Sequence, residues 1–354
     1  MSRREVLVVR TDSDGDVLLS GPAIRAVARD ARVTVLVAPS GAAAAALLPD
    51  VADVIVHPVA WSGYRPPPLD AAATLALVDD VRGRRFDAAV VLTSFHQSPL
   101  PVALLLRLAG VPHITAASGD YPGSLLDVRL APVRAGDPRH EVERALDTVA
   151  AAGFRLDPHD DARLAVRRPL PLPPDVPRSA LPRRGYVVVH PGASVPARAP
   201  GSATAAAIVR AVDAAGWPVA VTGGRPETDL TAQVAGDAAV DLGGRTTFPE
   251  LGAVLAGAAC LVSGNTGPAH LAAAVGTPVV SLFAPVVPAA WWRPWGVPHV
   301  LLGDQHAACR DSRSRECPVP GHPCLSTVDP SDVVEAVATL TDARRVPAAG
   351  RSAS

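Results

Sequence analysis

Apolar residues in this chain gather into short unbroken runs. Each run ends in a polar, glycine-bearing turn and is followed by residues with helical spacing. In the first half this predicts strands at Glu5–Arg10, Arg32–Ala38, Val54–His57 and Phe86–Leu92, the last ending in Thr93-Ser94-Phe95-His96. Between and after them, helices are predicted at Gly21–Asp30, Ala42–Leu48, Leu69–Arg82 and His140–Ala152. Unbroken apolar strands that alternate with helices imply a parallel sheet covered on both faces, hence an α/β fold.

A proline-rich stretch, residues 167–184, carries no pattern of either kind and reads as an interdomain linker between domains at 1–166 and 185–345. The alternation then restarts. Strands are predicted at Gly185–His190, Pro218–Thr222, Val240–Leu242, Ala259–Val262 and Pro278–Phe283, with helices at Ala203–Ala215, Glu227–Ala235, Phe248–Ala256 and Pro268–Gly276. A last helix is expected at Ser331–Leu340, capped by Ser331 or Asp329, before a disordered tail at 346–354. Two doubly wound domains are expected, facing one another across a cleft lined by the loops beyond the strands' carboxyl ends.

Composition narrows the partners. With 48% hydrophobic and 19% charged residues, the 354-residue chain is globular rather than disordered. A net charge of −1, with arginine but no lysine, argues against a nucleic-acid binder. The apolar run after the basic N-terminus is too short for a signal-peptide core, and the longest other candidate, Pro101–Leu106, is cut by Arg107. The expectation is a cytoplasmic protein without a transmembrane segment, with room for peripheral membrane contact.

Chemistry concentrates in the turns. Thr11-Asp12-Ser13-Asp14-Gly15-Asp16 follows the first strand. A calcium loop counted from Asp12 would need glycine and glutamate where Val17 and Ala23 stand, so calcium is disfavoured. The carboxylates can cap a helix, or one can act as a general base. His190-Pro191-Gly192-Ala193-Ser194, with Arg198 beyond, offers backbone donors and a forked guanidinium suited to phosphate, though Arg198 also reads as a surface residue. Glu227, after Gly223-Gly224, can take ribose hydroxyls or favour a helix start. Asp241-Leu242-Gly243-Gly244-Arg245 repeats the strand-to-glycine pattern.

The most specific turn is Ser263-Gly264-Asn265-Thr266-Gly267, which runs into a helix at Pro268. Proline suits a first helical turn, and the free N–H groups there form a cradle for an anion. Cys260 reads as core. Cys309, Cys317 and Cys324, near His306 and His322, lack the paired spacing of a zinc site. Trp291, Trp292 and Trp295 fit either a stacking platform or interdomain packing.

These segments together resemble glycosyltransferase family 9, the ADP-heptose:lipopolysaccharide heptosyltransferases. The resemblance rests on residues 6–26, 190–194, 222–227, 242–258 and above all 263–278. It implies a GT-B fold of two facing Rossmann-like domains, with the acceptor on the first and the nucleotide-sugar on the second. It also implies inverting transfer with no metal or cofactor. The family's base falls on Asp16, with Asp14 and Gly15 on the acceptor side. Diphosphate contacts fall on Asn265, Thr266, Gly267 and His270, with Arg198 in the place of the family's basic residue. The nucleoside contacts fall on Glu227, Gly223 and Gly224.

The resemblance further implies an ADP-heptose donor and an acceptor that is a cell-envelope glycan or a small molecule. Relatives acting on lipopolysaccharide often carry lysine in the Arg198 loop and aspartate at the position of Asn265. The alternatives are a nucleotide-sugar epimerase or hydrolase of the same fold, and a nucleotide-sugar-binding protein without turnover. A dehydrogenase is disfavoured, because no G-x-G-x-x-G opens the first helix.

Overall fold

A computed structural model describes residues 3–63, 65–94, 97–134, 136–174 and 185–345. Phe95, His96, most of the proposed linker and the 346–354 tail lie outside them. The chain forms two compact units, divided between Arg167 and Arg168.

The first unit holds a six-stranded parallel sheet. Its strands are β1 (Arg4–Arg10), β2 (Ala31–Val37), β3 (Val51–Val56), β4 (Ala88–Val91), β5 (Ile114–Ala117) and β6 (Val128–Leu130), in the order β3-β2-β1-β4-β5-β6. Helices α1 (Asp14–Leu19), α2 (Gly21–Ala28), α3 (Ala42–Leu47), α4 (Ala71–Arg84), α5 (Leu100–Leu108) and α6 (Glu141–Ala151) connect and cover it. Val6, Leu7, Val8 and Val9 of β1 are all buried, as a central strand covered on both faces requires.

The second unit repeats the plan. Strands β7 (Val187–His190), β8 (Val219–Val221), β9 (Val240–Asp241), β10 (Cys260–Gly264), β11 (Val279–Leu282) and β12 (His299–Leu302) run in the order β12-β11-β10-β7-β8-β9. Its helices are α7 (Ser202–Ala214), α8 (Thr228–Ala235), α9 (Phe248–Gly257), α10 (Gly267–Val275), α11 (Ala289–Trp292), α12 (Pro323–Ser326) and α13 (Pro330–Arg345). Asp329 caps α13, its carboxylate accepting the Ser331 N–H at 2.9 Å. In both units the winding reverses beside the first strand, between β1 and β4 and between β7 and β10. Ligands of such sheets bind outside the carboxyl ends of the strands at this switch point.

The periodicity misses α5, β5, β6 and β12, and it starts the first helix too late. The β5, β6 and β12 strands are three or four residues long, too short for a pattern to emerge. The α5 helix is nearly all apolar, which periodicity cannot separate from a buried strand. Asp14 and Asp16 stand in the first turn of α1 rather than in an open loop. Carboxylates are favoured there by the partial positive charge of the helix start.

Candidate functional site

At the switch point of the first unit, Arg10 ends β1 with its side chain almost wholly buried. Its guanidinium gathers three carboxylates: Asp12 at 2.8 Å, Asp16 at 3.1 Å and Glu141 at 3.4 Å. It also donates to Ser94 Oγ, just past β4, at 2.9 Å. Glu141 opens α6, whose start is fixed by a capping box. There the His140 ring accepts the Val142 N–H, and Glu143 accepts the His140 N–H at 2.7 Å. Glu141 also takes the Arg144 guanidinium at 2.8 Å.

Burial alone would disfavour a charge on Arg10, yet its three carboxylates hold the guanidinium above its ordinary range. Burial pushes Asp12 up to about 6, against the pull of Arg10. Glu141 is raised for the same reason, against Arg10 and Arg144. The side chains of Asp12 and Glu141 are only 7% and 4% exposed, whereas that of Asp16 is 21% exposed. Asp16 is therefore the member of the trio that an incoming molecule can touch. Its Oδ2 also accepts from Ser13 Oγ at 2.8 Å, which fixes the carboxylate's rotation. Asp14 is turned elsewhere: its Oδ1 accepts the Ala44 N–H at 2.8 Å, satisfying a free donor in the first turn of α3. Gly15 is buried within α1.

The switch point of the second unit brings together segments far apart in sequence. Gly264 ends β10, and a Cβ there would lie 2.2 Å from the Arg198 carbonyl oxygen. Only glycine lets the Arg198 turn lie against the strand end. Thr266 is the N-cap of α10 and carries no side-chain capping bond, and Gly267-Pro268 begins the helix. Asn265 is buried, its Oδ1 accepting the Ala284 N–H at 3.4 Å. Its Nδ2 has no hydrogen-bond partner among the described residues. An amide donor buried without a partner costs free energy unless a ligand takes it. His270 is buried one turn into α10.

Glu227 completes this edge. A Cβ on Gly192 would fall 1.8 Å from its Oε1, and its Oε2 accepts the Gly224 N–H at 2.7 Å. A Cβ on Gly223 would meet both Thr231 and Glu227, at 2.6 and 3.2 Å. His190 Nδ1 lies 3.0 Å from Thr222 Oγ1, and burial lowers its pKa against the opposing pull of Glu227. The strand ends of β7, β8 and β10 thus present bare backbone, an anion-suited helix start and one carboxylate.

Across this architecture, the model of glycosyltransferase family 9 (heptosyltransferase) matches residues 74–322. The chain belongs to glycosyltransferase family 9. A lipopolysaccharide heptosyltransferase 3 of Escherichia coli is 34% identical over 166 residues, 44% of this chain and 47% of that protein. Another, from strain K12, is 33% identical over 121 residues, 31% of this chain and 33% of its own length. The chain thus spans about half or less of the curated relatives it matches.

Solved structures extend the likeness in fold to nearly the whole family 9 chain. A family 9 glycosyltransferase from Veillonella parvula superposes with a TM-score of 0.76 at 14% identity, covering 97% of this chain and 98% of the other. The E. coli ADP-heptose heptosyltransferase II gives 0.70 at 18%, covering 97% and 100%. An E. coli heptosyltransferase solved with ADP gives 0.64 at 18%, covering 96% and 98%. The fold is therefore GT-B.

Arg10, Ser94 and Glu141 carry no signal in the sequence, because they converge from β1, the end of β4 and the start of α6. The acidic turn after the first strand was the available hint. Trp291 is buried against Trp292, ring centres 5.5 Å apart, so it offers no open face for stacking. Cys260 is core, while Cys309 and Cys324 join the apolar cluster of the second unit. Among the described residues, no group of three or more His, Cys, Asp or Glu is placed to hold a metal ion, and no helix is long and apolar enough to cross a membrane.

Proposed function

We propose that this family 9 protein is an inverting glycosyltransferase that moves a heptose, or a related sugar, from an ADP-activated donor to an acceptor hydroxyl. The acceptor is a cell-envelope glycan or a small molecule. The observation that carries the reading is the α10 start: a helix N-terminus, the Asn265 amide and the Arg198 turn meet on one strand end. Such an arrangement suits a diphosphate. Thr266 and Gly267 would supply backbone donors, with Arg198 and His270 beside them, while Glu227 with Gly223 and Gly224 would meet the nucleoside. Family membership and neighbours solved with ADP support the same donor.

In the reaction, Asp16 accepts the proton of the acceptor hydroxyl as its oxygen bonds to the anomeric carbon. The anomeric C–O bond to the diphosphate breaks, and its electron pair leaves with the phosphate oxygen. The α10 N–H groups and Arg198 stabilise the charge that grows there. No step calls for a metal. The first unit then serves as the acceptor side and the second as the donor side.

Mass spectrometry of products formed with a panel of nucleotide-sugars and acceptors tests the reading. Asp16→Asn should lower turnover by roughly 10²–10⁴-fold, the usual contribution of a positioned base, with nucleotide affinity retained. Unchanged turnover would remove Asp16 from the role. ADP lodged away from Asn265–Gly267 in a soaked crystal would overturn the donor site.

A further inference from the structure

One arrangement in the first unit exceeds what a lone base needs. Asp12, Asp16 and Glu141 surround a single buried guanidinium, and Arg144 is the second cation in contact with the group. Two of the three carboxylates are almost wholly buried, and they reach Arg10 from different elements. A buried ion cluster is costly to desolvate, so it is weak evidence for stability as its purpose. Here it has a geometric product: Arg10 Nη2 is shared among Asp16, Ser94 and Glu141, at 3.1, 2.9 and 3.4 Å.

We propose that Arg10 is the positioning residue of Asp16, and that Glu141, acting through Arg10, is the counter-charge that sets how readily Asp16 takes a proton. The inference rests on Asp16 being the base. Asp16 bonds Arg10 through Oδ1 and Ser13 through Oδ2, so its carboxylate is held from both sides. Glu141 competes for the same Nη2 nitrogen. Its ionised carboxylate draws guanidinium charge from Asp16 and also repels it directly, and both effects favour a protonated Asp16.

The other described neighbours have partners of their own. Asp12 is tied to Arg10, Ser94 and Gln97. Asp14 faces α3, which has no titratable side chain, and the 39–41 turn has none either. On α2, Arg25 is bound to Asp160. Arg144 pairs with Glu141 at 2.8 Å.

The test follows the carboxyl carbons of the full chain by ¹³C NMR across pH, with Asp16 assigned by the signal lost in Asp16→Asn. In Glu141→Gln the Asp16 midpoint should move to lower pH. In Arg10→Met it should rise by roughly 1–3 units, the usual effect of removing an adjacent guanidinium. Arg10→Lys keeps the charge without the fork and should recover part of that rise. Arg10→Met can fail to fold, so the isosteric Glu141→Gln decides. A folded Glu141→Gln protein with an unmoved Asp16 midpoint overturns the proposal, since a purely structural Glu141 would alter stability and leave that midpoint in place. The titration needs no substrate, so it fails independently of the Asp16→Asn turnover assay.

Discussion

Gly264→Ala isolates the contact on which the proposed donor site depends. The added Cβ would sit 2.2 Å from the Arg198 carbonyl oxygen, a backbone atom that cannot rotate away. Reaching ordinary van der Waals contact requires strand end and turn to part by more than about 1 Å. Overpacking of this kind costs about 1–3 kcal/mol. For a unit of this size that corresponds to a melting temperature lower by roughly 2–12 °C. The same shift moves Arg198 relative to the α10 start, and a misplacement of about 1 Å can cost on the order of 10²-fold in turnover. Differential scanning calorimetry and a turnover assay on the full chain would read the two effects, and ADP titration calorimetry would show whether the nucleotide contact moves with them. Gly83→Ala is the internal contrast: it lies in α4 with nothing within 4 Å of its new Cβ, so it should stabilise by about 0.5–1 kcal/mol. If Gly264→Ala kept both its melting temperature and its ADP affinity, the tight apposition of strand and turn would be refuted.

Three further outcomes are expected. Arg198→Ala should weaken ADP more than adenosine, and equal loss for both would place Arg198 away from the diphosphate. Burial pushes Asp14 up to about 6, so the folded chain binds the extra proton in the window from its ordinary value to about 6, and stability falls as pH rises through it. Asp14→Asn should therefore gain stability over the parent above that window and little below it, read as urea midpoints at about pH 4 and pH 7.5; the reverse order would contradict the assignment. Arg25 and Asp160 form a two-pronged pair at 2.8 Å on each arm, and its guanidinium holds the carboxylate below its usual range. Removing either partner should cost roughly 1–3 kcal/mol at neutral pH, with the effect fading as Asp160 protonates in acid; a double-mutant cycle with no coupling would count against it.

The alternation of apolar runs and helical stretches determined the α/β class and most of the strands, because a strand buried on both faces must be apolar throughout. The glycine turns at 192, 223 and 264 were legible too, since bare backbone has few other uses at a strand end. Sequence also carried the family through the order of those turns. What it could not hold was convergence. Arg10, Ser94 and Glu141 meet because β1 and β4 are neighbours in the sheet while α6 packs against α2 and β5, and no local spacing encodes that. Which partner each of Asp12, Asp14 and Asp16 reaches was likewise decided only by folding, since three alike carboxylates differ only in burial and in their neighbours.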